Sequence, residues 1–70
     1  MSKDVADAFI GVEIAKIAKS PMPHVDHTYV SGMIDMAVML GQLTYEDGQC
    51  YHQALASKAG NRRVQLRSAA

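Results

Sequence analysis

Residues 28–40 read TYVSGMIDMAVML, and this stretch carries more apolar surface than one face of a helix can hide. Wound at about 100° per residue, Tyr29, Val30, Met33, Ile34, Met36, Ala37, Val38 and Leu40 cover an arc of roughly 200°. Thr28, Ser31, Gly32 and Asp35, with Met39 beside them, fill the remaining strip. A surface helix of a small monomer needs an arc nearer about 100°. The excess has to be covered by something else, and a chain of 70 residues offers little. The stretch therefore reads as the centre of a subunit interface. Its expected seam is Tyr29, Val30, Met33, Ile34, Met36, Ala37 and Leu40, joined by Leu55 from the helix that follows.

Length and composition push the same way. Residues 1–70 make one small domain, and a core of this size rarely supplies more than about 3–5 kcal/mol. Small chains make up the difference with disulfides, a metal or self-association. Cys50 is the only cysteine, so no disulfide forms within one chain, and a lone cysteine suits a reducing, cytoplasmic compartment. The start Met1-Ser2-Lys3-Asp4 lacks the basic and apolar regions of a signal peptide. Glu13 and Lys16 interrupt the apolar part of the first helix, and residues 33–40 are too few to span a bilayer.

Net charge is zero but unevenly distributed. Residues 1–57 hold three lysines against seven acids, while Lys58, Arg62, Arg63 and Arg67 stand in a tail without acids. Such a tail either steers an acidic partner or lies on the acidic body of its own or a sister subunit.

The expected architecture is all-α, with helices over about 3–19, 26–40 and 45–59 or longer, forming an intertwined helical homodimer. Ser2 is a plausible cap for helix 1, whose inner face is Ala6, Ile10, Ile14 and Ile17, with Val5, Phe9 and Val12 beside them. Ser20-Pro21-Met22-Pro23 stops it. Helix 2 starts between Pro23 and His27, with Asp26 the expected cap, and ends at Leu40 ahead of Gly41, a natural left-handed terminator. Thr44 caps helix 3, with Glu46 and Asp47 in its first turn. Its inner face is Gly48, Tyr51, Leu55 and Ala59. Gly60-Asn61 offers a stop, but Leu66 falls on the stripe of Leu55 and Ala59, which favours continuation.

Chemistry finds little to work with. His24, Asp26, His27, Cys50 and His52 have the donor types of a zinc site, but Cys50 and His52 point about 200° apart around their helix. Neither a shared ion nor a Cys–His dyad follows, and there is no oxyanion or glycine-rich loop. No cofactor, metal or catalytic residue is expected. DNA binding is the rival reading. Residues 37–41, AVMLG, have the Ala-to-Gly spacing of a helix-turn-helix, which makes helix 3 the recognition helix. Glu46 and Asp47 oppose this, since their charge repels phosphate where contacts would be made, and only Arg62, Arg63 and Arg67 offer phosphate contacts.

Other residues invite a role. Glu13 lies in the middle of the apolar arc of helix 1, where an unpaired carboxylate is costly. It is a rim residue, or the partner of Lys16, Arg62 or Arg63, or part of a docking patch. The five methionines suit a core or seam. Tyr45, Gln49 and His52 fall on the outer side of helix 3, where an exposed tyrosine among polar neighbours makes an interface anchor.

Residues 33–55, MIDMAVMLGQLTYEDGQCYHQAL, resemble the helix–turn–helix hairpins of short accessory proteins encoded by bacterial viruses. In these a Gly-x-Leu-Thr turn joins an apolar helix to a polar one. In size and character the chain is similar to the small anti-quorum-sensing proteins of transposable phages; small anti-CRISPR proteins fit the same description. The resemblance implies a helical dimer in the host bacterial cytoplasm that binds and disables a host regulator of the LuxR class. Some such proteins also engage the motor ATPase of type IV pili. It carries over no functional residue.

Together these readings give the expectation of a non-catalytic homodimer that inhibits or sequesters another protein. Target contacts are expected from Tyr45, Gln49 and His52 on one surface and Arg62, Arg63 and Arg67 on another. No membrane contact is expected, and a small dimeric DNA-binding regulator is the alternative.

Overall fold

The computed structural model describes residues 3–69. Among them the chain forms three helices and no strand: α1 (Lys3–Lys16), extended by a 3-10 turn over Ile17–Lys19, α2 (Pro23–Met39) and α3 (Tyr45–Ala69). The cap expected at Ser2 lies outside the described residues.

Two long-range hydrogen bonds within the chain fix the topology. Tyr51 Oη donates to Asp7 at 2.6 Å, and Arg62 Nε donates to the Ser20 carbonyl at 2.7 Å. Sequence advances in the same sense on both elements, so α1 and α3 run parallel. α2 runs against them, with His52 2.8 Å from Asp35 and Gly48 beside Val38. The result is an up-down-up bundle in which α2 and α3 share the most extensive interface. At 25 residues α3 outruns both neighbours and, at about 1.5 Å per residue, accounts for most of the 42 Å long axis.

The turns follow from the punctuation. Gly41, at φ 75°, places its N–H on the Val38 carbonyl at 3.0 Å, and Gln42 N–H reaches Ala37 at 2.9 Å. This pair of bonds is a Schellman stop, which needs the left-handed conformation that glycine adopts without strain. Thr44 and Asp47 then exchange side-chain-to-backbone bonds at 3.0 and 3.2 Å, a reciprocal cap that satisfies two otherwise orphaned donors of α3.

The first turn departs from expectation. α2 begins at Pro23, the early end of the expected range, and is not capped by Asp26, because a proline at the first helical position gives up only an amide that has no partner there. Asp26 instead accepts a hydrogen bond from the Ser20 hydroxyl, which also accepts the Met22 amide at 3.1 Å. Ser20 is buried and fully occupied, since Arg62 takes its carbonyl. At the other end α3 runs through Gly60 to Ala69 without a break.

The core is one cluster: Ala6, Ile10, Ile14 and Ile17 of the first segment, Val30, Ile34 and Ala37 of α2, Leu43 of the turn, and Leu55 and Ala59 of α3. Met33, Val38 and Tyr51 pack on its edge. Burying each large aliphatic side chain is worth about 1.5–3 kcal/mol. Gly48 permits the close α2–α3 approach, since a Cβ there would lie 2.8 Å from Val38 Cγ2. No helix among the described residues is long and apolar enough to cross a membrane.

Candidate functional site

The arc of residues 28–40 is divided in two by the bundle. Val30, Ile34 and Ala37, with Leu55 of α3, were expected in a subunit seam and are instead buried in the chain's own core. Tyr29, Met33, Met36 and Leu40 remain toward the surface. Tyr29 is 63% exposed, Met36 53% and Leu40 61%. Across from them α1 contributes Phe9, 58% exposed, and the small Ala6. These side chains, with Gly32, line an open groove of about 380 Å³ between α1 and α2. Phe9 is the residue that sequence reading underplayed. Its position beside the inner face of α1 could have marked it.

A second depression, of about 360 Å³, lies between α2 and α3 on the other flank of α2. It is lined by Tyr45, Gln49 and His52 of α3 with Asp35, Val38 and Met39 of α2, so these three α3 residues face α2 rather than the outer side expected for them. His52 is held by Asp35, and Tyr45 is well exposed at the rim.

The three arginines separate. Arg62 is turned inward to the Ser20 carbonyl and also reaches Gln65 at 3.4 Å, so its role is structural. Arg63 and Arg67 stand over an apolar cleft of about 670 Å³ formed with Met22, Val25 and Leu66. Glu13 is half-buried and accepts from Lys16 at 3.1 Å, one of the pairings considered; neither Arg62 nor Arg63 reaches it.

The donor residues considered for a metal lie apart. His24 and His27 face Arg63 beside the hydroxyl-bearing Thr28 and Ser31, His52 is on Asp35, and Cys50 is exposed. Among the described residues no three of His, Cys, Asp and Glu converge as metal ligands.

The cluster that sequence reading missed is Lys3–Asp7–Tyr51. Lys3 Nζ lies 2.8 Å from Asp7 and 3.9 Å from Asp47, joining the starts of α1 and α3. The bond to Lys3, then that from Tyr51, lowers the Asp7 pKa. The same Asp7 contact raises Lys3, and together with burial it pushes the Tyr51 phenol up to about 12. The arrangement is a structural clamp: its groups are engaged with one another and line none of the clefts described above.

No protein-family model matches the chain, and comparison with curated proteins and with solved structures gives no significant match.

Proposed function

We propose that the chain is a non-catalytic homodimer that acts by binding and inactivating another protein. The observation that carries this reading is the open α1/α2 groove, where Phe9, Tyr29, Met36 and Leu40 all stand more than half exposed on one face. A monomer of this size gains nothing from leaving such a face in water, whereas a protein interface uses it. Each chain encloses its own aliphatic core, which supports two three-helix units meeting face to face rather than intertwining. The Tyr45, Gln49 and His52 surface stays free for a target, with Tyr45 as the aromatic anchor. The resemblance of residues 33–55 to phage accessory hairpins makes a LuxR-class transcriptional regulator the first target to try.

The alternative is a dimeric DNA-binding regulator. α2 and α3 lie side by side from Val38–Gly48 to the His24–Arg63 end, unlike the steep crossing of a helix-turn-helix. Glu46 and Asp47 also occupy the first turn of α3. Both features weigh toward the protein-binding reading.

Two measurements test it. Sedimentation at micromolar concentration is expected to give a dimer; a compact 7.6 kDa species would remove the homodimer. Titration with random duplex DNA is expected to show no affinity at low salt. Appreciable binding that falls steeply as salt rises would favour the regulator instead.

A further inference from the structure

We propose that a second copy of this chain covers the α1/α2 face by laying its α2 antiparallel across α2, with the crossing point at Gly32. The inference rests on the homodimer reading above and adds its geometry.

Tyr29, Met36 and Leu40 line the groove with Phe9 of α1, and Val25 and Met39, which edge the Arg63–Arg67 cleft and the Tyr45 depression, continue them as one outward stripe along α2, 52–79% exposed. From ordinary residue areas these six expose roughly 700 Å² per copy, backbone and phenol included, which approaches one partner's share of a stable interface.

Gly32 sits in the middle of this stripe. It interrupts a helix interior, where glycine is disfavoured relative to alanine. A Cβ at Gly32 would meet no atom within 4 Å, as at Gly11 and Gly60, so packing within the chain does not require it; Gly32 differs from those two in lining the apolar groove. Gly48, by contrast, is where α3 approaches α2. A glycine facing open space at the centre of an apolar stripe is where another helix can come equally close. About a point between Gly32 and Met33 the stripe is self-complementary when reversed: Tyr29 of one copy meets Met36 of the other, and Val25 meets Leu40.

Charge decides the direction. The up-down-up order gathers Asp4, Asp7, Asp35, Glu46 and Asp47 toward one end of the long axis. It gathers Lys16, Lys19, Lys58, Arg62, Arg63 and Arg67 toward the other, and the minority charges, Lys3 at the acidic end and Glu13 and Asp26 at the basic end, leave both imbalances standing. A parallel pair would set like ends side by side, whereas an antiparallel pair sets each basic end against its partner's acidic end. The dipoles of the two crossing helices then also oppose.

The test is Gly32→Gln, a side chain that favours helix and has room in the single chain. Its helicity by circular dichroism is expected to match wild type while the dimer dissociation constant rises at least about 100-fold. A Gly32→Gln protein that dimerises as tightly as wild type overturns the crossing and leaves the homodimer standing. A monomeric wild type overturns both. Should Gly32→Gln fail to fold, spin labels on Ser68→Cys in a Cys50→Ser background decide. The antiparallel pair separates them by roughly 45 Å, whereas a parallel pair brings them to roughly 25 Å and sinks the proposal.

Discussion

Tyr51 and Asp7, 44 residues apart, are joined by a 2.6 Å hydrogen bond from the phenol to the carboxylate. This bond sets the register of α1 against α3 at the end where both helices begin. Neither partner is fully buried, so the pair contributes through geometry and charge more than through desolvation.

Replacing Tyr51 by Phe is expected to destabilise the fold by about 1 kcal/mol, the usual net worth of such a bond. The pH dependence should change with it. The Tyr51 pKa is raised from 10.0 to about 12, so its contribution is complete below about pH 10 and is lost as pH climbs toward 12. Asp7 is lowered from 3.8, so its contribution is present above that value and lost as pH falls through the folded pKa. Denaturant midpoints across pH should show both losses in wild type. In Tyr51→Phe the acid loss should shrink and the alkaline loss should fall to the part due to Lys3. An unchanged alkaline limb would show that the bond contributes nothing.

Gly48 and Gly60 both lie inside α3, yet substitution by alanine should move stability in opposite directions. At Gly60 a Cβ meets nothing within 4 Å, and Gly60→Ala should gain about 0.5–1 kcal/mol from helix propensity. At Gly48 the Cβ would press on Val38 Cγ2, part of a stiff β-branched side chain. Overpacking of about 1–3 kcal/mol then outweighs the propensity gain of about 1 kcal/mol, for a net loss of up to about 2 kcal/mol. Thermal melts of the two variants check this directly.

Arg62 and Arg63 are neighbours with different work. Arg62→Ala removes the donor to the Ser20 carbonyl and should cost about 1–2 kcal/mol, because that carbonyl is left buried without a partner. Arg62→Lys should not restore it fully, for an ammonium lacks the fixed Nε geometry. Arg63→Ala should stay within about 0.5 kcal/mol of wild type. Urea denaturation of the three variants separates these outcomes.

Ile34→Asp should abolish folding, since it buries a carboxylate in the centre of the core. Tyr45→Ala should leave the melting temperature nearly unchanged and weaken target binding, as expected of an exposed anchor. Calorimetry with a LuxR-class regulator reads the second effect; equal affinity of wild type and Tyr45→Ala would show that the anchor lies elsewhere.

Much of the fold is set by local chemistry and is legible in the residues alone. Gly41 and Thr44 fix the second turn because a left-handed stop and a reciprocal cap each depend on neighbours a few positions away. The inner faces of α1 and α3 follow from helical period. The start of α2 was harder to read, because Pro23 and Asp26 are both good beginnings. The choice fell to Ser20, whose hydroxyl occupies the Asp26 carboxylate.

Which half of the apolar arc of α2 is covered was a tertiary decision. Periodicity shows that the arc is too wide, but it cannot say that α1 and α3 close over Val30, Ile34 and Ala37 while Tyr29, Met36 and Leu40 stay out. The same holds for Arg62 and Arg63, adjacent in the chain and turned by the helix toward a carbonyl and toward water. Local propensity acts over a few residues and therefore appears in the sequence itself. The pairing of surfaces depends on helix lengths and on the order in which the helices pack, and it exists only once the chain has folded.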